Sequence, residues 1–572
     1  MSIKPSFEEE LGSDREIPGG TFDKPEQTFP RLSAEMVERV MQYGLEETVD
    51  AGTHLYQIGE RGFDFFLVLD GIVDALESDG RGEHAVLMTY GENQFSGELN
   101  LFSDRAALLS ARALRRTRLV RVPRARFRGM VSAEPDIGEV ILRAYILRRA
   151  GMIRRAEGGT VLVGSIHSAD TLRIQSFLTR NGYPHRLLDV DQTPEAIEAL
   201  TCFGLIGTVA LPVMVIGGET ILRCPSNVEL ANALGITEQL DPHCIHDVVV
   251  VGAGPAGLAT AVYAASEGLD TVVVEAVAPG GQAGTSSRIE NYLGFPTGVS
   301  GQMLANRAQI QAQKFGARLL IARSAKGLEC RMPFRLLLDD GTFLSTRSIV
   351  IAAGARYRRL ELADFGRFDG QGVHYAATTL EARLCAGSDA IVVGGGNSAG
   401  QAAVFLSGKA NHVHMLVRGD GLAATMSDYL VRRIVNSSRI TLHLRTQVTG
   451  LIGGKYLEAV RWRENGDETV HPAANLFLMI GAEPNTDWLN GRVALDPKGF
   501  VATGETPMGN QLTPYGTNIP GIFAVGDVRA DSVKRVAASV GEGSAVVHAV
   551  HGWLGELATR ENQERPPQIS PS

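Results

Sequence analysis

Two glycine signatures constrain this chain more than anything else in it. Each is set between an apolar strand pattern and an alanine-rich helix pattern, and their first glycines stand 142 residues apart. The first stretch, Asp247 to Glu275, reads DVVVVGAGPAGLATAVYAASEGLDTVVVE. Val248 to Val251 is a short continuous apolar run, the pattern of a parallel strand buried on both faces. Gly252, Gly254 and Gly257 follow as G-x-G-x-x-G, with Pro255 and Ala256 opening the helix. A helix N-terminus offers unpaired N–H groups and the positive end of a dipole, both suited to a pyrophosphate. Gly252 allows the tight turn, Gly254 lets the backbone approach the phosphates, and Gly257 lets helix and strand pack closely. Glu275 closes the second strand 23 residues after the first glycine, where a carboxylate accepts from ribose hydroxyls. The set predicts a dinucleotide site.

The second stretch, Ala390 to Ser407, reads AIVVGGGNSAGQAAVFLS. Gly394, Gly396 and Ala399 give the G-x-G-x-x-A variant, with Asn397 and Ser398 between them. The next strand pattern, HVHMLVR, ends on Arg418 and not on an acid, 24 residues after Gly394. An arginine there suits a 2′-phosphate, so NADPH is expected over NADH, with NADH kept as the alternative. Arg432 and Arg433 are further candidates if the chain folds back.

Other segments narrow the chemistry. Phe523 to Asp527 reads FAVGD, a carboxylate after a short apolar strand. Gly280, Gly281 and Gln282 precede IENYLGFP, Ile289 to Pro296. VIAAG (Val350 to Gly354) and MIGAEPNT (Met479 to Thr486) are strands running into glycine turns. Together these resemble the low-molecular-weight thioredoxin reductase family over roughly residues 245 to 556. The resemblance implies FAD at the first signature and NADPH at the second. It places Gly526 and Asp527 at the flavin ribitol, and Arg535, Val536 and Ala537 over the flavin pyrimidine. It makes Gly281, Gln282 and Asn291 flavin-side residues and puts Ala353 and Gly354 in the adjoining turn. It also implies an FAD domain over 245–360 and 485–557, an NAD(P)H domain over 361–484 inserted in it, and a homodimer.

One departure from that family matters. Its members carry a C-A-x-C pair just before the NADPH strand. Here the segment is GVHYAATTLEARLC, with Ala376 and Thr379 at the cysteine positions. Neither can form the thiolate that attacks a disulfide. Cys385, six residues beyond Thr379, reads as a buried structural thiol. The family's H-R-R triplet is reduced to Val417-Arg418-Gly419. No acid, base or nucleophile is required of the chain, because the chemistry belongs to the cofactor.

The remaining sequence needs further domains, since 572 residues exceed a single core. The segment 1–30 is acidic, with Pro and Gly, and reads as disordered; 558–572 is Pro-containing and reads as a disordered tail. From Ser33 a helical pattern leads into short strands punctuated by Gly52, Gly59, Gly62, Gly71 and Gly91, which suits a β-barrel or jelly roll. GERGFDFFLVLDGIVDAL and FSGELNLF resemble a cyclic-nucleotide-binding domain over about 31–156. That resemblance assigns Gly97 and Glu98 to a ribose and Arg105 to a cyclic phosphate. Arg105 follows Glu98 by only seven residues, a shorter spacing than the family's, which predicts a phosphate left uncovered. The helix-turn-helix that follows this barrel in transcription regulators is not evident, so no DNA contact is expected. Eight arginines between Arg112 and Arg128 read as a solvated face.

Residues 159–237 alternate strand and helix patterns, and TVALPVMVIGG resembles the cis-proline segment of the thioredoxin and glutaredoxin fold, with Pro212 as the proline. The dithiol position falls on Ser168, Ala169, Asp170 and Thr171, which include no cysteine. The fold class is therefore multidomain: a β-barrel or jelly roll, an α/β thioredoxin-like unit, and two interleaved α/β Rossmann-like domains.

Composition sets the outer limits. A net charge of −9 argues against general nucleic-acid affinity. Five scattered cysteines show no metal spacing and fit a reducing cytoplasm. No run of 18 apolar residues suggests a membrane span. The expected function is hydride transfer from NADPH to FAD and on to an unidentified acceptor. Two alternatives stand beside it: thioredoxin-disulfide reduction through a partner or a noncanonical thiol, and a nucleotide or redox sensor with a structural flavin.

Overall fold

A computed structural model describes residues 24–78, 84–157, 159–202, 205, 210–217, 220–286, 288–362, 364–423, 426–454, 456–504 and 513–564. Residues 1–23 of the acidic N-terminal segment, and 206–209 at the start of the proline segment, lie outside the described residues.

The front unit is two four-stranded antiparallel sheets. One orders Leu45–Val49, Thr117–Val122, Phe65–Asp70 and Phe95–Ser96; the other orders His54–Tyr56, Ser110–Ala113, Val73–Ser78 and His84–Tyr90. Strand Phe65–Asp70 is apolar and mostly buried, as its sequence demands. The helix Pro135–Arg155 closes the barrel on one side. Two expectations about the ends need correction. Residues 24–30 are not structureless: Pro25–Thr28 is a short helix, Thr28 is fully buried, and the Phe29 carbonyl accepts from Gln94 Nε2 at 2.7 Å. The C-terminal helix, Val536–Glu564, runs past residue 558. The arginine run is paired as a solvated face would be, with Arg118 on Glu46, Arg121 on Asp64 and Arg124 on Asp104.

The second unit is a four-stranded sheet ordered Arg186–Asp189, Thr160–Gly164, Val213–Ile216, Thr220–Arg223. The first pair is parallel and the other two are antiparallel. Helix Ala169–Arg180 covers it, and its buried Ile174, Phe177 and Leu178 join the apolar core.

The rear half holds two five-stranded parallel sheets. The first orders Arg318–Ile321, Thr271–Glu275, Val248–Val251, Ile349–Ile351 and Ile522–Ala524. The second orders Val373–His374, Asn475–Leu478, Ala390–Val393, Val413–Val417 and Ile440–Leu444. The strands that carry the glycine turns, Val248–Val251 and Ala390–Val393, are buried at every residue, which accounts for their unalternating sequences. Each has an antiparallel meander beside it: Ala325–Glu329, Phe334–Leu338 and Phe343–Thr346 for the first, extended to four strands by Ile245–His246 in parallel, and Thr446–Ile452, Ala459–Glu464 and Asp467–Pro472 for the second. The chain leaves the first domain through Ala355–Tyr357 and returns through Ala482–Pro484, and these two segments pair antiparallel. One apolar cluster runs from Phe65 and Phe95 in the barrel, through Ile174 and Phe177, to Val250 and Leu258.

Candidate cofactor site

The geometry of the first signature follows from its glycines. Gly252 sits at φ +106°, and a Cβ there would stand 2.4 Å from the Ala352 carbonyl oxygen. A Cβ on Gly257 would lie 1.9 Å from the Gly252 carbonyl oxygen, so no larger residue fits between strand and helix. Gly254 caps helix Pro255–Ser266, which therefore begins at the turn with free N–H groups. Glu275 faces that turn. Its Oε2 accepts from Ala253 N at 2.8 Å, and its Oε1 from Val277 N at 3.0 Å and Ala278 N at 3.2 Å. With Oε1 accepting twice, a lone pair on Oε2 remains for a hydroxyl donor.

These residues open onto a cavity of about 960 Å³. Of the residues expected at the cofactors, Gly252, Gly254, Pro255, Ala256, Glu275, Gly281, Gln282, Asn291, Ala353, Gly354, Gly526, Asp527 and Val536 line it, as does Arg535. Asn397 and Ser398, from the second signature, line the same cavity. The two helix starts thus face one space. Gly257 is absorbed in packing, and Ala537 is exposed beyond the wall. Gln282 donates to the Ala355 carbonyl, and Asn485 Nδ2 donates to the Ala353 carbonyl at 2.9 Å, which fixes the floor. Burial pushes the Asp527 carboxyl up, with Lys534 opposing and Glu542 adding to the rise. Tyr357 and Tyr375 stack across the domain boundary with centroids 5.9 Å apart, and both line the cavity. Ala376 is part of the same wall.

The rest of the second signature packs as the first does, with Gly394 at φ +138° and a Cβ there 2.3 Å from the Met479 carbonyl oxygen. Gly394, Gly396 and Ala399 do not line the cavity; Ala399 is fully buried against the strand, and Gly396 caps helix Asn397–Leu406. The Asn397 side-chain oxygen accepts from Ser427 N at 2.7 Å. Arg418 is exposed and outside the cavity, because it follows the last residue of its strand into a bend. Arg432 is paired with Asp428 and Arg433 with Glu290. Cys385 is fully buried beside the second parallel sheet, and burial pushes its thiol up to about 12.

Sequence reading missed Arg180. It ends the helix of the second unit yet lines the rear cavity, with its Nη2 donating to the carbonyls of Ala278 at 3.3 Å and Gly281 at 3.2 Å. Its buried Nε has no partner, and burial lowers its proton affinity while Glu275 opposes that. A terminal basic residue on an amphipathic helix is common, so its sequence carries no signal for this role.

The barrel pocket is the opposite case. Gly97 and Glu98 line it, but its volume is about 10 Å³. Arg148 fills it: the side chain is 2 % exposed, donates to the carbonyls of Thr28 and Phe95 at 3.0 and 3.1 Å, and lies over the rings of Tyr90 and Phe95. Glu98 accepts from Arg149 at 3.1 Å and from Leu108 N. Arg105, the residue expected at a cyclic phosphate, is turned out of the pocket. Its short loop is closed by Asn100 Nδ2 donating to the Ala106 carbonyl at 2.6 Å. Its guanidinium is buried near the Asn181 carbonyl, with Nε and Nη2 unpartnered. Among the described residues no helix is long and apolar enough to cross a membrane.

Residues 246–543 match the family model for pyridine nucleotide-disulphide oxidoreductases. The chain belongs to that family. Residues 46–134 match the cyclic nucleotide-binding domain. The chain is 32 % identical over 357 residues to NADPH-dependent thioredoxin reductase 3 of Arabidopsis thaliana, covering 59 % of this chain and 66 % of that protein. It is 32 % identical to a thioredoxin reductase of Mycoplasmopsis pulmonis, covering 52 % of this chain and 94 % of the relative. The crystal structure of Lactococcus lactis thioredoxin reductase superposes with a TM-score of 0.50 at 27 % identity, over 54 % of this chain and 99 % of that one. The rear half is thus a thioredoxin-reductase-like oxidoreductase, an enzyme family, behind a cyclic-nucleotide-binding domain.

Proposed function

We propose that the chain is an FAD-dependent NADPH oxidoreductase that delivers electrons to its acceptor without a protein dithiol. The carrying observation is the shared cavity: both helix starts open onto it, and Ala376 stands in its wall where a thiol would be needed. The volume and donor set fit FAD. The helix start at Gly254 suits the pyrophosphate, Glu275 the ribose, and Gly526, Asp527 and the Gln282 side the ribitol and ring. Bound there, the flavin would take up a hydride from a nicotinamide and pass electrons onward. Arg180 adds a positive charge beside Gly281, suited to a phosphate oxygen. Asn397 and Ser398 are placed to position the second dinucleotide, and NADPH is the proposed donor. Tyr357 and Tyr375 form a stacked aromatic flank of the cavity.

The second unit supports a thioredoxin-like reading without its chemistry. Its sheet order matches, and a Cβ placed on Gly164 would meet both Thr171 Oγ1 at 2.5 Å and Pro212 Cβ at 3.0 Å, so these two face each other. Ser168 and Thr171 supply no thiol.

Anaerobic addition of NADPH should bleach the flavin absorbance of the purified protein. Quinones or one-electron acceptors should restore it, whereas thioredoxin and an aromatic disulfide should not do so at catalytic rates. Fast disulfide turnover would overturn the dithiol-free assignment. Flavin that NADPH leaves oxidised would favour the sensor reading.

A further inference from the structure

Away from the cofactor cavity, the NAD(P)H domain gathers three imidazoles and two carboxylates that the proposed chemistry does not use. Asp389 immediately precedes strand Ala390–Val393, His414 lies on Val413–Val417, His443 on Ile440–Leu444, and His471 on the meander strand Asp467–Pro472. Glu464 ends the neighbouring meander strand Ala459–Glu464. Asp389 Oδ2 is 3.0 Å from His471 Nε2 and 3.6 Å from His414 Nε2. Ligand atoms of Asp389, His414 and His471 all lie within 4.8 Å of one another, and the three side chains are half-buried.

We infer that Asp389, His414 and His471 form a binding site for a divalent transition cation of the zinc class. Ligands about 2.0–2.2 Å from a tetrahedral ion stand about 3.3–3.5 Å apart, which the two measured separations bracket. Two imidazoles and one carboxylate are a donor set that zinc favours, with a fourth position left for water. The supporting shell is also built. His414 Nδ1 is 3.1 Å from His443 Nε2, and His443 Nδ1 is 2.9 Å from Glu464 Oε2. This carboxylate–imidazole relay orients the ligand ring as supporting residues around zinc do. Trp462, buried and with an unpartnered indole N–H, packs against His414, His443 and His471.

A rival cluster, Cys244, His246 and Asp270, satisfies the same spacing but not the electrostatics. There the Arg318 guanidinium sits 3.1 Å from His246 Nδ1 and also pairs with Asp270, so a cation would meet a fixed positive charge. Asp389 instead faces the two candidate ligand imidazoles, and no Arg or Lys pairs with it among the described residues.

The site lies at the start of strand Ala390–Val393, whereas the glycine turn lies at its end, roughly 15 Å away at strand rise. Its role is therefore structural: the ion would join the parallel sheet to the meander rather than touch a nicotinamide.

The test uses full-length, flavin-loaded protein stripped with EDTA and then dialysed against Zn2+, with metal counted by mass spectrometry. One equivalent per chain should return, and the melting temperature should rise with it. His414→Asn with His471→Asn should weaken Zn2+ binding at least 100-fold, Glu464→Gln about 10-fold, and Cys244→Ser not at all. If the double variant does not fold, Glu464→Gln and the visible absorption of Co2+ in the wild type, displaced by Zn2+, still decide. A wild type with no saturable Zn2+ binding overturns the site. So does binding lost in Cys244→Ser but kept in the histidine variants.

Discussion

The barrel pocket and the rear cavity both carry sequence marks of a nucleotide site, but they differ in what occupies them. The rear cavity is about 960 Å³, and its polar groups are backbone N–H groups and side chains facing inward. The barrel pocket is about 10 Å³, because the chain's own Arg148 already lies over its aromatic rings and on its carbonyls. Glu98 is likewise satisfied by Arg149 and Leu108 N. A motif shows which groups could meet a ligand; it does not show whether a distant side chain has reached them first.

The comparison can be broken at several points. The largest effect is expected at the open site: Gly254→Val with Asp527→Ala should yield folded, colourless protein, read as the ratio of flavin to protein absorbance. A yellow double variant would place the flavin elsewhere.

At the closed site, Arg148→Ala leaves the carbonyls of Thr28 and Phe95 without their donor. It should cost about 3 kcal/mol of stability in denaturant titration. Cyclic AMP and cyclic GMP should show no saturable binding to the wild type by calorimetry. Micromolar binding would mean that Arg148 leaves the pocket in solution.

Arg180→Ala should weaken FAD binding to the stripped apoprotein by about tenfold, or ~1.4 kcal/mol. Unchanged affinity in a variant of normal melting temperature would confine Arg180 to packing.

Arg418 stands exposed, so the benefit of a charge-assisted contact is reduced by solvent. Arg418→Ala should raise the KM for NADPH by about threefold, ~0.6 kcal/mol, and leave that for NADH unchanged. An equal change for both would remove its role at the 2′-phosphate.

The smallest effect is expected at Cys385. Burial raises its thiol from 9.0 to about 12, so the neutral form supports the fold at low pH. That support is lost as the pH rises from the unfolded value through the folded one. Cys385→Ser should leave NADPH-driven quinone reduction intact and flatten the alkaline fall in stability. Loss of turnover in a folded, flavin-loaded variant would show a thiol in the chemistry.

The parts legible in the sequence are local ones. Val248–Val251, Gly252 and helix Pro255–Ser266 are contiguous, so periodicity and glycine placement are enough to read them. The misread parts depend on contacts between distant residues. Arg180 reaches Gly281 across 101 positions, and Arg148 reaches Phe95 across 53. The histidine cluster collects single residues from separate strands, so no ligand spacing announces it. Arg105 departs from expectation for a different reason: the short loop after Glu98 folds on itself through Asn100 and carries the guanidinium outward. At the termini, composition suggests disorder where Phe29 and the last helix in fact continue the structure.

The shared apolar cluster has a practical consequence for cutting the gene. Relatives such as the Mycoplasmopsis enzyme match along 94 % of their own length on the rear half of this chain. A truncation beginning near residue 245 would look like such a relative on paper. It would also remove Asn181 from the Val277 carbonyl, Arg180 from the Gly281 carbonyl and Gln302, and the Phe177 side of the common core. The excised fragment would therefore be an enzyme with a raw, partly greasy flank and a breached cofactor wall. Its solubility and flavin content would report on the wound and not on the catalytic half as it works within the whole.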